Sequence, residues 1–171
     1  MISDKMVKSI NQQINRELYS AYLYMGMASY AAEAGLKGTA NWFTIQVQEE
    51  LSHAQKMYNY VMDQGGRVLL GAIEEPPQKF SSMKDLFEKT LEHERIVTSL
   101  INDLVDQAAG ENDKATSIML QWFVTEQVEE EANPTDILQK LKIVGNDGNG
   151  ILLIDNELAQ RVFTPIAAEG A

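Results

Sequence analysis

Long stretches of this chain repeat apolar residues at spacings of three and four, the pattern of helices that bury one face. The first stretch runs from Asp4 to about Ala34 without a proline. The second runs from about Gly38 to the pair Gly65-Gly66, a strong helix terminator. Because only a few residues join these two predicted helices, they must lie antiparallel.

The segment after the second predicted helix is not expected to be helical. Residues 65–80 contain several glycines and the pair Pro76-Pro77, which exclude a helix, yet they are too apolar for a solvated linker. We expect an extended crossover that lies on the bundle. A third helix is predicted to open at Ser82, where Asp85 three residues later resembles a capping box.

The last third of the chain predicts a fourth long helix, from about Asp113 to about residue 144, and a shorter fifth helix. A turn rich in glycine and asparagine at residues 145–150 separates them, and we expect the fifth helix at about 154–164. This tail is apolar enough that it should pack on its own bundle or on symmetry mates. The predicted fold is all-α, a four-helix bundle with one long crossover between helices two and three plus a short C-terminal helix, in a single domain over residues 1–171.

Pro134 interrupts the pattern of the fourth helix. Its missing N–H would have bonded the carbonyl of Glu130, so a kink or break is expected there. Asn133, Pro134 and Asp136 could instead act as the N-cap, first and third residues of a restarted helical segment. Both interpretations make the position of the fifth helix harder to predict than the bundle before it.

Each of the four long helices carries a glutamate in the middle of its apolar stripe. These residues are Glu17, Glu50, Glu94 and Glu130. Counting residues from the predicted helix ends places these four glutamates at one height in the bundle. His53 lies three residues after Glu50, and Gln127 lies three residues before Glu130, so each shares a helix face with its glutamate and falls in the same layer. A buried carboxylate without a partner is costly, so this layer predicts bound cations.

The residue types narrow the choice of cation. Four carboxylates are balanced by two divalent ions when His53 is neutral, so the set favours a pair of ions over a single one. Carboxylates with one imidazole suit iron or manganese better than structural zinc, and calcium prefers flexible oxygen-rich loops. The chain has no cysteine, which excludes disulfides, iron–sulfur clusters and thiolate zinc sites.

Composition excludes several partners. With 171 residues, 44% of them hydrophobic, the chain has the size and core of one domain. Its net charge of −11 argues against nucleic acid and anionic membranes. No segment approaches the roughly 20 apolar residues of a membrane span, and the first residues lack the apolar core of a signal peptide. We therefore expect a cytoplasmic protein with no membrane partner.

Other residues near the layer have simpler interpretations. A helical glutamate more often lies on a solvated face; Glu49, Glu126 and Glu129 could do so, and we expect it for Glu131. His93 is rotated about 100° from Glu94 around the helix, so it should be an ordinary surface or interface histidine. Tyr24 and Trp122 could be core filling.

Four segments resemble those of the bacterial non-haem ferritins. They occur in the same order, over essentially the whole chain, and read RELYSAYLY, QEELSHA, EHE and WFVTEQVEEE. The resemblance implies a hollow shell of 24 identical subunits that oxidises Fe(II) with O₂ or peroxide and stores the Fe(III) as mineral. Such a protein combines ferroxidase activity with iron storage.

The same resemblance implies roles for individual residues. Glu17, Glu50 and His53 would hold one iron. Glu50, Glu94 and Glu130 would hold the other, with Gln127 beside them. The family's third iron site is matched by Glu49, Glu126 and Glu129, and its nearby redox tyrosine by Tyr24.

Related families differ from this chain at identifiable points. Haem-binding bacterioferritins carry a second Glu-x-x-His where this chain has Gln127-x-x-Glu130, and a haem-ligating methionine where it has Leu51. No haem is therefore expected. Rubrerythrins need a cysteine-bound iron domain, and the twelve-subunit miniature ferritins lack the fifth helix and bind iron between subunits.

Two other functions stay open at this stage. A di-iron oxygenase or peroxidase acting on an organic substrate can use the same bundle, although it needs an apolar cavity beside the irons and usually a reductase partner. A purely structural helical assembly would bind no metal. Iron uptake into a large particle is expected of the storage protein alone.

Overall fold

The computed structural model describes residues 2–166, which form helices and contain no strand. The helices are α1 (Asp4–Glu33), α2 (Lys37–Asp63), α3 (Met83–Gly110), α4 (Lys114–Val144) and α5 (Gly148–Leu158). The predicted all-α fold, four long helices and a short fifth one, is confirmed. Within residues 2–166 no helix is both long enough and apolar enough to cross a membrane.

Two buried apolar clusters show how the long helices run. One cluster draws on the start of α1, the end of α2, the end of α3 and the start of α4, and the other draws on the opposite ends. Hence α1 and α4 point one way, and α2 and α3 point the other way. Because α2 and α3 are parallel, the segment that joins them has to cross the length of the bundle.

The crossover, residues 64–82, runs along α1. The Asn11 side chain donates a hydrogen bond from Nδ2 to the Arg67 carbonyl at 3.0 Å, and Asn15 donates to the Ala72 carbonyl at 2.9 Å. These side chains satisfy backbone groups of an extended segment that has no ladder of its own. The predicted extended crossover is confirmed.

The start of α2 is capped from a distant part of the chain. The carboxylate of Asp155 in α5 accepts hydrogen bonds from the backbone N–H of Gly38 at 3.0 Å and of Thr39 at 2.7 Å, and from the Thr39 hydroxyl at 2.8 Å. Asp155 is only 6% exposed, and Ile154 and Leu158 are buried beside it. A remote N-cap and an apolar face therefore hold α5 on the bundle.

The fifth helix lies earlier in the chain than the sequence pattern predicted. We expected a turn at 145–150 and a helix at about 154–164, but α5 spans Gly148–Leu158. The carboxylate of Asp147 accepts from the Gly150 N–H at 2.9 Å and so starts the helix inside the glycine-rich run. The cap and the tertiary packing of α5 outweigh the low helix propensity of glycine.

The apolar tail is only partly covered by its own bundle. Ile154 and Leu158 are buried, whereas Leu152, Leu153 and Val162 are exposed. The expectation that the tail packs on its own bundle is therefore met by one face of α5. The single-domain prediction over residues 1–171 also covers Met1 and residues 167–171, which lie outside the described residues.

The fourth helix continues through Pro134. The expected break, and the alternative of a restarted segment, are both wrong, because α4 is continuous from Lys114 to Val144. Beyond the proline, Ile137 and Leu141 are buried in the core. Burying each such side chain stabilises by about 1.5–3 kcal/mol, which offsets the cost of about 3 kcal/mol that an interior proline brings.

Candidate metal centre

A polar layer lies between the two apolar clusters, at mid-height in the bundle. Its members are 5% exposed or less and are Glu17, Glu50, His53, Glu94, Gln127 and Glu130. All six were predicted from the sequence to meet there. The structure brings them together from four helices, although they are widely separated in the chain.

Two sets of ligand atoms share this layer. Glu17, Glu50 and His53 each place a ligand atom within 4.8 Å of the others, and so do Glu50, Glu94 and Glu130. Glu50 belongs to both sets. His53 Nδ1 lies 3.3 Å from Glu50 Oε2, as the three-residue spacing predicted. The geometry therefore suits two cations with the Glu50 carboxylate between them.

The residues matched to a third iron site are arranged differently from the expectation. Among the described residues, Glu126 groups with His53 and Glu130 within 4.8 Å, but Glu49, Glu126 and Glu129 do not form such a group. His53 Nε2 is 3.9 Å from Glu126 Oε1. Glu49 is instead paired with Arg161.

Hydrogen bonds orient several of the carboxylates. The Gln13 amide donates from Nε2 to Glu17 Oε1 at 2.7 Å, and the Tyr24 hydroxyl donates to Glu94 Oε1. Gln127 Nε2 lies 3.3 Å from Glu94 Oε2. Gln127 thus faces the layer through a donor nitrogen, so in this conformation it orients Glu94 and does not offer an oxygen ligand.

Two buried glutamines were missed by the sequence analysis. Gln46 is fully buried, and its Nε2 donates to Glu130 Oε2 and lies 3.5 Å from Glu50 Oε1. Gln13 is 3% exposed and bonds Glu17. Each glutamine precedes a predicted ligand by four residues, so the i, i+4 spacing was a signal that could have identified both.

Burial governs the protonation of the layer. Desolvation raises the pKa of Glu50 well above its ordinary value, and the charges of Glu130 and Glu17 raise it further. Desolvation, and then the charge of Glu50, also raises the pKa of Glu94 well above its ordinary value. Desolvation and Glu94 raise the pKa of Glu130 from 4.5 to about 8. Burial therefore favours the protonated form of these carboxyl groups in the absence of metal, and divalent cations would have to displace the protons.

The raised pKa values predict how stability depends on pH. When the folded pKa exceeds the unfolded one, the folded state binds more protons, so the contribution to stability is fully present below the unfolded pKa and falls as pH rises. For Glu130 that window runs from 4.5 to about 8. We expect the metal-free protein to melt at a lower temperature at pH 8 than at pH 5.5 by calorimetry. Glu130→Gln should weaken this dependence, and an unchanged dependence would contradict the assignment.

His93, expected to be a surface or interface histidine, is partly exposed and also bonded inside the bundle. Its Nε2 lies 2.7 Å from Ser20 Oγ, and its ring centroid is 5.9 Å from that of Tyr24. Desolvation and then the charge of Arg16 lower the pKa of His93 to about 4. The ring is therefore neutral at pH 7 and adds no charge near Tyr24.

Two further expectations are refined by the structure. Glu131, expected on a solvated face, keeps about a third of its side chain exposed but accepts a hydrogen bond from Thr98 at 2.7 Å. The Trp122 ring lies edge-to-face with the His53 ring at 5.5 Å. Trp122 therefore packs against a predicted ligand and restricts its orientation.

Comparison with known proteins identifies the family of this chain. The family model for the ferritin-like domain matches residues 7–144. A bacterial non-haem ferritin from Bacteroides fragilis is 43% identical over 161 residues, covering 94% of this chain and all of the relative. A probable bacterial non-haem ferritin-like protein from Haemophilus influenzae is 40% identical, covering 92% of this chain and 96% of the relative.

A solved structure shows the same fold. An open pore ferritin from the archaeon Archaeoglobus fulgidus superposes with a TM-score of 0.94 at 52% identity, covering 95% of this chain and all of that chain. Taken with the match over residues 7–144 and the similarity to non-haem relatives over nearly the full length, these findings establish that this chain belongs to the ferritin family and is of the bacterial non-haem type.

Proposed function

We propose that this protein stores iron and is a ferroxidase, oxidising Fe(II) with O₂ or peroxide at an intrasubunit pair of iron sites. The observation that carries the proposal is Glu50, a buried carboxylate shared by two ligand sets in one layer. The ferritin relatives support the storage function, and the ligand geometry supports the oxidation.

The proposed chemistry follows from the ligands. One Fe(II) would bind to Glu17, Glu50 and His53, and the other to Glu50, Glu94 and Glu130, displacing the protons that these carboxyl groups hold. Hard anionic oxygen ligands favour Fe(III) over Fe(II) and so drive the oxidation forward. A carboxylate shared by two ions suits the separation of roughly 3.5–4 Å used in two-metal sites.

Four residues around the pair have proposed auxiliary roles. Glu49, Glu126 and Glu129 would hold a third iron if their side chains moved together on binding, and the iron would have to displace Glu49 from the Arg161 guanidinium. Tyr24 would act as a redox tyrosine beside the site. Its hydroxyl bonds Glu94, and desolvation followed by the charge of Glu94 raises its pKa, so it is a protonated donor at neutral pH.

Storage requires an assembly. We propose a homo-oligomer of 24 subunits that encloses a mineral core, on the strength of the resemblance and of the ferritin structures that this chain matches. Exposed apolar side chains on α1 and the crossover are consistent with subunit contacts. They include Tyr22, Met25, Leu69, Leu70 and Ile73.

Aerobic addition of Fe(II) tests the storage function directly. Purified protein should take up many more iron atoms than its binding sites can hold, in a particle whose mass by light scattering equals that of a closed assembly. A particle that retains only the ions bound at its sites, or a monomer that lets iron precipitate in solution, would contradict the proposal.

One observation bears on the alternative of an organic substrate. A groove of about 410 Å³ between α3 and α4 reaches Gln127, and its lining includes Ile101, Val124 and Val128. An oxygenase or peroxidase would consume O₂ or peroxide in proportion to an organic substrate and accumulate no mineral. The same iron-loading experiment therefore separates the two functions.

A further inference from the structure

The segment after α5 reaches back to the polar layer through Arg161. Arg161 Nη1 donates to Gln46 Oε1 at 2.8 Å, and Nη2 lies 2.5 Å from Glu49 Oε2. The guanidinium carbon is 4.4 Å from the centre of the Trp42 ring. With 19% of its side chain exposed, Arg161 is held by a hydrogen bond, an ion pair and an aromatic face at once.

Arg161 determines which way the Gln46 amide points. A guanidinium can only donate hydrogen bonds, so the Gln46 atom that faces it has to be the carbonyl oxygen. The amide nitrogen then faces the layer, where it donates to Glu130 Oε2 and lies 3.5 Å from Glu50 Oε1. The fully buried Gln46 is therefore a relay between the C-terminal segment and two predicted iron ligands.

We propose that Arg161 is a positioning residue for the iron held by Glu50, Glu94 and Glu130. By keeping the Gln46 nitrogen on Glu130 Oε2, it leaves the other oxygen of that carboxylate to bind metal. Without Arg161 the amide is free to turn its oxygen toward Glu130, which disfavours the ionised carboxylate that binds metal and so weakens the ligand set. This inference rests on the proposed function, because it concerns the same pair of sites.

Zinc titration of the metal-free assembly tests the inference, since Zn²⁺ is redox-inert and reports binding without turnover. Calorimetry should resolve the two Zn²⁺ ions bound by the ligand sets that share Glu50, one at each set of the wild-type subunit. In Arg161→Gln, one ion should lose affinity by about 10–100-fold, the size typical of residues that orient ligands. The ion at Glu17, Glu50 and His53 should lose less affinity, because Gln46 approaches only one of its ligands, Glu50, and at the longer distance of 3.5 Å.

Three variants separate positioning from a structural role. Gln46→Leu should weaken the same ion, and adding Arg161→Gln to it should cause no further loss, because both act through one contact. Arg161→Lys should bind this ion more tightly than Arg161→Gln but less tightly than the wild type, since a lysine ammonium lacks the two planar N–H groups with which the guanidinium contacts Gln46 and Glu49 together. Arg95→Gln removes an equal charge from an exposed residue paired with Glu131 and should change neither ion.

The outcomes are distinguishable. Undocking of the C-terminal segment is not expected in Arg161→Gln, because Asn41 Nδ2 still donates to the Arg161 backbone carbonyl at 3.0 Å. The proposed role of Arg161 would be overturned if Arg161→Gln bound each Zn²⁺ ion with the same affinity as the wild type. It would also be overturned if the losses of affinity in Gln46→Leu and Arg161→Gln were additive in the double variant. A wild-type protein that binds no pair of Zn²⁺ ions would instead contradict the proposed function.

Discussion

Glu50→Gln should lower the initial rate of Fe(II) oxidation by at least about 100-fold, since loss of residues that merely orient metal ligands already costs 10–100-fold. Glu50 is the carboxylate common to both ligand sets, so this change removes one anionic ligand from each iron. Glutamine keeps the volume and leaves the packing of the layer intact. Stopped-flow absorbance after aerobic mixing with Fe(II) measures the rate.

A matched control isolates the effect of the site. Glu92→Gln makes the same substitution at an exposed position on α3 and should oxidise iron at the wild-type rate. Gel filtration should show both variants in the wild-type assembly. An initial rate for Glu50→Gln close to that of Glu92→Gln would refute the di-iron proposal, because among the described residues only Glu50 belongs to both proposed ligand sets.

Gly38→Ala should detach α5 from the bundle. A Cβ atom at this position would lie 1.6 Å from the Asp155 carbonyl oxygen and 2.6 Å from its carbon, both backbone atoms that cannot move without moving the helix. Displacement removes the remote N-cap of α2, worth about 0.5–2 kcal/mol. It also exposes Ile154 and Leu158, each contributing about 1.5–3 kcal/mol when buried.

Hydrogen exchange measures this detachment. Amides of α5 in Gly38→Ala should exchange faster by orders of magnitude, while those of the four long helices change little. Gly110→Ala is the control, because a Cβ there meets nothing within 4 Å and should leave exchange unchanged. Wild-type protection of α5 in Gly38→Ala would show that the turn between α1 and α2 adjusts to admit the methyl group.

Detachment of α5 has a consequence at the polar layer. Arg161 lies three residues after the end of α5, so its hydrogen bond to Gln46 should be lost when α5 detaches. Gly38→Ala is therefore expected to weaken the same zinc ion as Arg161→Gln, although the substituted residue lies at the start of α2, 12 residues before Glu50.

Sequence periodicity alone determined the helices and the height of the ligands. In a helix each residue advances by 1.5 Å and 100°, so counting from the predicted ends was enough to place Glu17, Glu50, Glu94 and Glu130 in one layer. Apolar stripes indicated which face of each helix is buried. Helix periodicity and apolar stripes are local properties of the chain, so both could be predicted from the sequence without knowledge of the tertiary structure.

Contacts between segments distant in sequence were decided only by the tertiary structure. The start of α5 and the continuity of α4 through Pro134 depend on packing and on caps, and local propensity predicted both wrongly. Gln46 and Arg161 are 115 residues apart, and no periodic signal joins them. The ligands of the metal centre follow from helix geometry, whereas the groups that orient those ligands follow from how the C-terminal segment folds back onto α2.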